Sequence, residues 1–106
     1  MNVLVYEWVV GGGPLGQQPP PPPSLRREGL AMLTALVEDF SRIPGMSVTT
    51  IVDPDTELEL SAPHEVVRVV TLAERDRAMT RVARSVDEVI LIAPEQHGVL
   101  LRMTGE

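Results

Sequence analysis

The side chains in this sequence that could bind or transform a ligand fall where apolar runs end. Glu7 closes the run Met1–Tyr6, Asp53 closes Ser47–Val52, Thr71 follows Glu65–Val70, and Glu95 follows Val89–Ala93 with His97 just beyond. If these runs are strands of one parallel sheet, their carboxyl ends share a rim, and that rim carries three carboxylates and a histidine. Such a group could bind a cation or hold an amine. Each residue also has a plainer role. Asp53 and Glu95 suit ordinary Asp-Pro and Pro-Glu loops, Glu7 a polar strand end, and His97 a surface position. His64 lies too far along the chain to pair with His97 at any metal-ligand spacing, so no metal site is assigned. No Gly-x-Ser-x-Gly or His-Glu-x-x-His signature occurs, and no residue is given a catalytic role.

Beyond Glu7, Gly11-Gly12-Gly13-Pro14-Leu15-Gly16 formally matches the dinucleotide pattern G-x-G-x-x-G. That pattern works when its last glycine opens a helix whose free N–H groups meet a pyrophosphate. Here Pro14 removes a donor, and Pro19 to Pro23 separate the glycines from the first helical position. The acidic partner expected about twenty residues on comes only at Asp53. A P-loop needs Gly-Lys-Ser/Thr, and the chain has no lysine: all nine basic residues are arginine. Residues 11–23 read instead as a mobile Gly/Pro-rich lid or spacer.

Composition narrows the classes. A chain of 106 residues is one domain with a modest core, and 43% hydrophobic content with 3% aromatic residues makes that core aliphatic. A net charge of −6 argues against a nucleic-acid partner. The absence of cysteine removes disulfides and thiolate chemistry and fits a cytoplasmic setting. No segment has the length of a membrane span or the form of a signal peptide.

The elements that must position these residues follow from periodicity. Met1–Tyr6 reads as a buried strand. Leu25, Leu30, Leu33, Val37 and Phe40 recur at helical spacing, predicting a helix over 24–42 capped by Ser24, with Arg26, Arg27 and Glu28 on its solvated face. Residues 47–52 and 65–70 read as strands. Thr71-Leu72-Ala73-Glu74 has the form of a capping box for a helix to about Ser85, whose arginines 75, 77, 81 and 84 form a solvated face. Residues 89–93 are the most apolar strand. The order predicts an α/β fold: a small doubly wound parallel sheet of about four strands. Val99–Met103 reads as a further apolar helix, whose uncovered face predicts a partner or a homodimer and makes residues 1–106 the front piece of something longer.

The segments Tyr6-Glu7-Trp8-Val9-Val10-Gly11-Gly12-Gly13, Ser24-Leu25-Arg26-Arg27-Glu28-Gly29-Leu30-Ala31-Met32-Leu33 and Ile92-Ala93-Pro94-Glu95 together resemble the N-terminal region of ATP-grasp ligases, around the tyramine–glutamate ligase branch. The resemblance implies a Rossmann-like pre-ATP-grasp domain bordering the site of a small amine or amino-acid substrate. It implies that ATP and Mg²⁺ are held by later domains and that this chain alone holds no cofactor and is not catalytic. It places Glu7, Gly11, Gly12, Gly13, Glu28, Gly29 and Glu95 at the substrate border. A proline run of this kind is not part of the resemblance. The rival expectation is a non-catalytic interaction module that uses its proline run and final helix.

Overall fold

The computed structural model describes residues 1–58, 65–93 and, as backbone, 99–104. Strands β1 (Asn2–Glu7), β2 (Ser47–Val52), β3 (Glu65–Arg68), β4 (Glu88–Ala93) and β5 (Val99–Thr104) form one sheet in the order β3-β2-β1-β4-β5. The first four run parallel, as predicted. Strand β5 runs antiparallel beside β4, with Ala93 opposite Val99 and Glu88 opposite Thr104. It stands where the sequence predicted a final helix. A short aliphatic run fits either form by periodicity, and here the open edge of β4 supplies partners for its backbone groups.

Helix α1 (Pro23–Ser41) and helix α2 (Leu72–Ser85) cover opposite faces of the sheet. Strand β1 alternates between them. Val3 and Val5 pack with Leu33 and Val37 of α1, while Leu4 and Tyr6 pack with Ala78 and Val82 of α2. Near-continuous burial along β1 follows from its central place, with β2 on one side and β4 on the other.

Helix α1 starts one residue before the predicted bound. Pro22 occupies the N-cap in extended conformation with no side-chain cap bond, so Ser24 is not the cap. The fixed φ of proline suits the first helical turn, where an N–H would have no partner. Helix α2 does begin at Thr71, whose Oγ1 accepts the Glu74 N–H at 3.1 Å. Its Oγ1 also lies 3.4 Å from Glu74 Oε1. Thr71 is thereby used as a cap rather than as a rim ligand.

Candidate functional site

The connection from β1 leads through α1 to β2, whereas α2 brings the chain back to β4 on the other side of β1. The carboxyl end of β1 is therefore the point where the sheet's connections diverge, and ligands of open α/β sheets sit there. The last residue of β1 is Glu7. Alternation along the strand turns it toward α1, level with Ile92 of β4, and its side chain is fully buried. Its Oε1 accepts the Val10 N–H at 2.8 Å, and its carbonyl accepts the Gly11 N–H at 2.8 Å. Its Oε2 has no hydrogen-bond partner among the described residues. Burial raises the Glu7 pKa above its ordinary value of 4.5, opposed by the backbone donors of Val10 and Val9 and by the charge of Arg26.

Gly29 explains how a helix can approach that carboxylate. A Cβ at this position would stand 2.6 Å from Glu7 Oε1 and 2.7 Å from its Cδ, so only glycine fits without displacement. The sequence resemblance placed Glu7 and Gly29 together, and the structure packs them against each other. Glu28 is exposed, away from this contact. Glu95 and His97 lie outside the described residues.

The glycine run is built into the same corner. Tyr6 donates its hydroxyl to the Gly11 carbonyl at 2.8 Å, while Glu7 O and the Tyr6 ring leave no space for a side chain at Gly11. Gly12 adopts φ +89°, a left-handed conformation that favours glycine. Val9, Val10, Gly11, Gly12 and Pro14 are buried, and Gly13 lies against the Trp8 indole. The first half of the expected lid is therefore packed onto the sheet, and exposure begins only near Gly16 and runs through Pro20. The Gly11 and Gly13 N–H groups are both taken, by Glu7 O and Trp8 O, so they are not offered to a phosphate.

Asp53, at the exit of β2, anchors a network that the sequence did not reveal. Its N–H donates to Val10 O at 2.7 Å, tying this exit to the glycine turn. Its carboxylate accepts from Arg26 at 2.9 and 3.3 Å, from the Thr56 hydroxyl at 2.7 Å and from the Asp55 N–H at 3.1 Å. Arg26 also donates to Thr56 Oγ1 at 3.2 Å. Arg68, at the end of β3, donates to the carbonyls of Asp53 and Thr56. Hydrogen bonding to Asp53 raises the Arg26 pKa further. Arg26 had been placed on a solvated helical face, yet it turns inward across the top of β2. Among the described residues no group of three or more acidic or histidine side chains could hold a metal ion.

A sheet of four parallel strands and one antiparallel edge strand, covered by a helix on each face and with a carboxylate buried at the exit of its central strand, is Rossmann-like in class. The model of the pre ATP-grasp 3 domain matches residues 46–106, more than half of the chain. The chain belongs to that family. The match spans β2 to β5 with Asp53, whereas Glu7, the glycine turn, Glu28 and Gly29 precede it. No curated protein and no solved structure matches the chain.

Proposed function

We propose that this chain is the N-terminal, substrate-side domain of an ATP-dependent carboxylate–amine ligase of the ATP-grasp type, in or near the tyramine–glutamate ligase branch. Its partners are the later domains of that enzyme, which hold ATP and Mg²⁺, and a small amine or amino acid, in the cytoplasm. The observation that carries this reading is the family match across β2 to β5. The joined corner of Glu7, Gly11, Gly29 and Asp53 at the diverging strand exits supports it.

Glu7 does not reach solvent in this arrangement. Its role is to fix the turn at Val10 and Gly11, so that Gly11, Gly12 and Gly13 shape a wall of the substrate site. Glu28 is exposed on α1 and available to a neighbouring domain, and Glu95 is assigned to the same border. Among the described residues no helix is long and apolar enough to cross a membrane. The open edge of the sheet at β5 is where a second copy would pair to form a homodimer.

The full reading frame containing this chain, purified and supplied with ATP, Mg²⁺ and pairs of amino acids and amines, should release ADP only when both an acid and an amine are present. The 106-residue chain alone should show no saturable ATP binding by calorimetry. ADP release independent of the amine, or none with any pair, refutes the ligase assignment. An interaction-module role keeps one supporting observation, the exposure of Pro19, Pro20, Pro22 and Pro23. Its other support, the final helix, is replaced by β5.

A further inference from the structure

Consecutive side chains of an extended segment point to opposite faces, and the exit of β1 uses both. Glu7 enters the α1 face; Trp8 lies on the α2 face, in a cleft of about 250 Å³ between β1, β4 and α2. Tyr6, Trp8, Arg75, Met79, Leu91 and Ala93 line it. None of the residues assigned above to the substrate border is among them. The cleft nevertheless opens at the same divergence of the strand connections, on the opposite side of the sheet.

Its size and lining define a ligand class. A cavity of roughly 150 Å³ admits a benzene ring, so this cleft has room for one ring and a short polar tail. The lining is mainly apolar, and Trp8 is 38% exposed, an aromatic surface left open at a strand exit. Among the described residues, the only charged one in the lining is Arg75, whose side chain is 22% exposed. Its Nε is buried and has no hydrogen-bond partner among the described residues, although Asp76 Oδ1 lies 3.1 Å away. The Asp76 side chain is 69% exposed, so that pairing is solvated and weak enough for another carboxylate to replace. Tyr6 is a neutral neighbour of Arg75: its hydroxyl donates to Gly11 O, its oxygen is within hydrogen-bonding reach of the guanidinium, and burial keeps it protonated, so it brings no charge to compete with a carboxylate.

We propose that this cleft binds a small carboxylate bearing a flat apolar or aromatic group, with the ring against Trp8 and Met79 and the carboxylate on Arg75. An arginine fork suits a carboxylate's two oxygens, and desolvation by the apolar walls strengthens the pairing. The site stands apart from the ligase reading, since it needs neither ATP nor a later domain.

Trp8 is the only tryptophan of the chain, so its emission reports occupancy directly. The test titrates the 106-residue chain with 3-phenylpropionate, 2-phenylethylamine and propionate. The expected result is a saturable change with 3-phenylpropionate and at least tenfold weaker responses to the other two, which lack the carboxylate or the ring. Arg75→Gln should weaken binding at least tenfold, Arg75→Lys by less, and Ala93→Phe should block it by filling the cleft. No saturation with 3-phenylpropionate, or equal binding of the amine, overturns the proposal in the unaltered chain. Unchanged binding by a folded Arg75→Gln variant overturns it as well. Each of these outcomes leaves the ADP-release test of the ligase reading unaffected.

Discussion

Gly29→Ala is the sharpest probe of the packed corner, because helix propensity and local packing pull in opposite directions. In a free helix interior this change stabilises by about 1 kcal/mol. In α1 the new methyl would stand 2.6 Å from Glu7 Oε1 and 2.7 Å from Glu7 Cδ, against normal contacts of about 3.5–4.0 Å. The carboxyl cannot swing aside cheaply, since it is fully buried and holds the Val10 N–H. Nor can the helix lift freely, since Leu33 and Val37 are seated in the core below it. The overpacking cost should therefore fall near the top of its usual range, about 3 kcal/mol. The net expectation is a loss of about 2 kcal/mol, or a urea midpoint lower by roughly 1 M at an ordinary slope for this size. In a Glu7→Ala background the obstructing atoms are gone, and Gly29→Ala should become neutral or favourable, giving a coupling near 3 kcal/mol. Urea unfolding of the four proteins at one pH measures it. An unchanged or raised midpoint for Gly29→Ala alone, or the same shift in both backgrounds, would refute the reasoning.

Glu7 should also shape the pH dependence of stability. Its folded pKa lies above 4.5, so the native state holds the proton longer than the unfolded chain. Its contribution is complete below 4.5 and is lost as pH rises through the raised value. Glu7→Gln should flatten that decline, and urea midpoints between pH 4 and 8 that track the unaltered protein would contradict this. Tyr6 is the only tyrosine, and burial pushes its pKa up to about 12. Absorbance should show tyrosinate only near pH 12 in the native chain and near pH 10 in urea; native titration near 10 would show that the hydroxyl is not enclosed. Asp53→Ala should cost about 1–3 kcal/mol, since it strands buried donors while Arg26 stays partly solvated. Thr56→Val should cost about 1 kcal/mol. A thermal or urea midpoint insensitive to Asp53→Ala would mean that the network is dispensable.

The parallel core was legible because its signals are local. Aliphatic runs marked β1, β2 and β4, a 3.6-residue stripe marked α1, and Thr71 with Glu74 marked the start of α2. Strand β5 was not legible: Val99-Leu100-Leu101 has no periodicity of its own, and its form is settled by the edge of β4. The contact of Glu7 with Gly29 was anticipated only as shared membership of a border. That the glycine exists to admit the carboxylate emerges from the fold. Arg26 and Asp53 are separated by 27 positions, and nothing local to Arg26 distinguishes it from its solvated neighbour Arg27. The glycine run read as loose because composition cannot show that Tyr6 and Trp8 fold back over it.

The division of Glu7 and Trp8 between the two faces of the sheet makes the register of β1 a chemical variable. Sliding β1 by one residue would exchange a carboxylate for an indole on the α1 side and place the charge in the apolar cleft. The chain guards against that slip at the far end of the strand. Ser47 N donates to Met1 O, Asp87 N donates to Asn2 O, and Asn2 N donates back to the Asp87 carboxylate at 2.7 Å. A one-residue insertion between Asn2 and Val3 should therefore disturb both faces of the exit at once, although it lies at the opposite edge of the sheet. Fidelity of ligand choice here would be set by hydrogen bonds that no ligand touches.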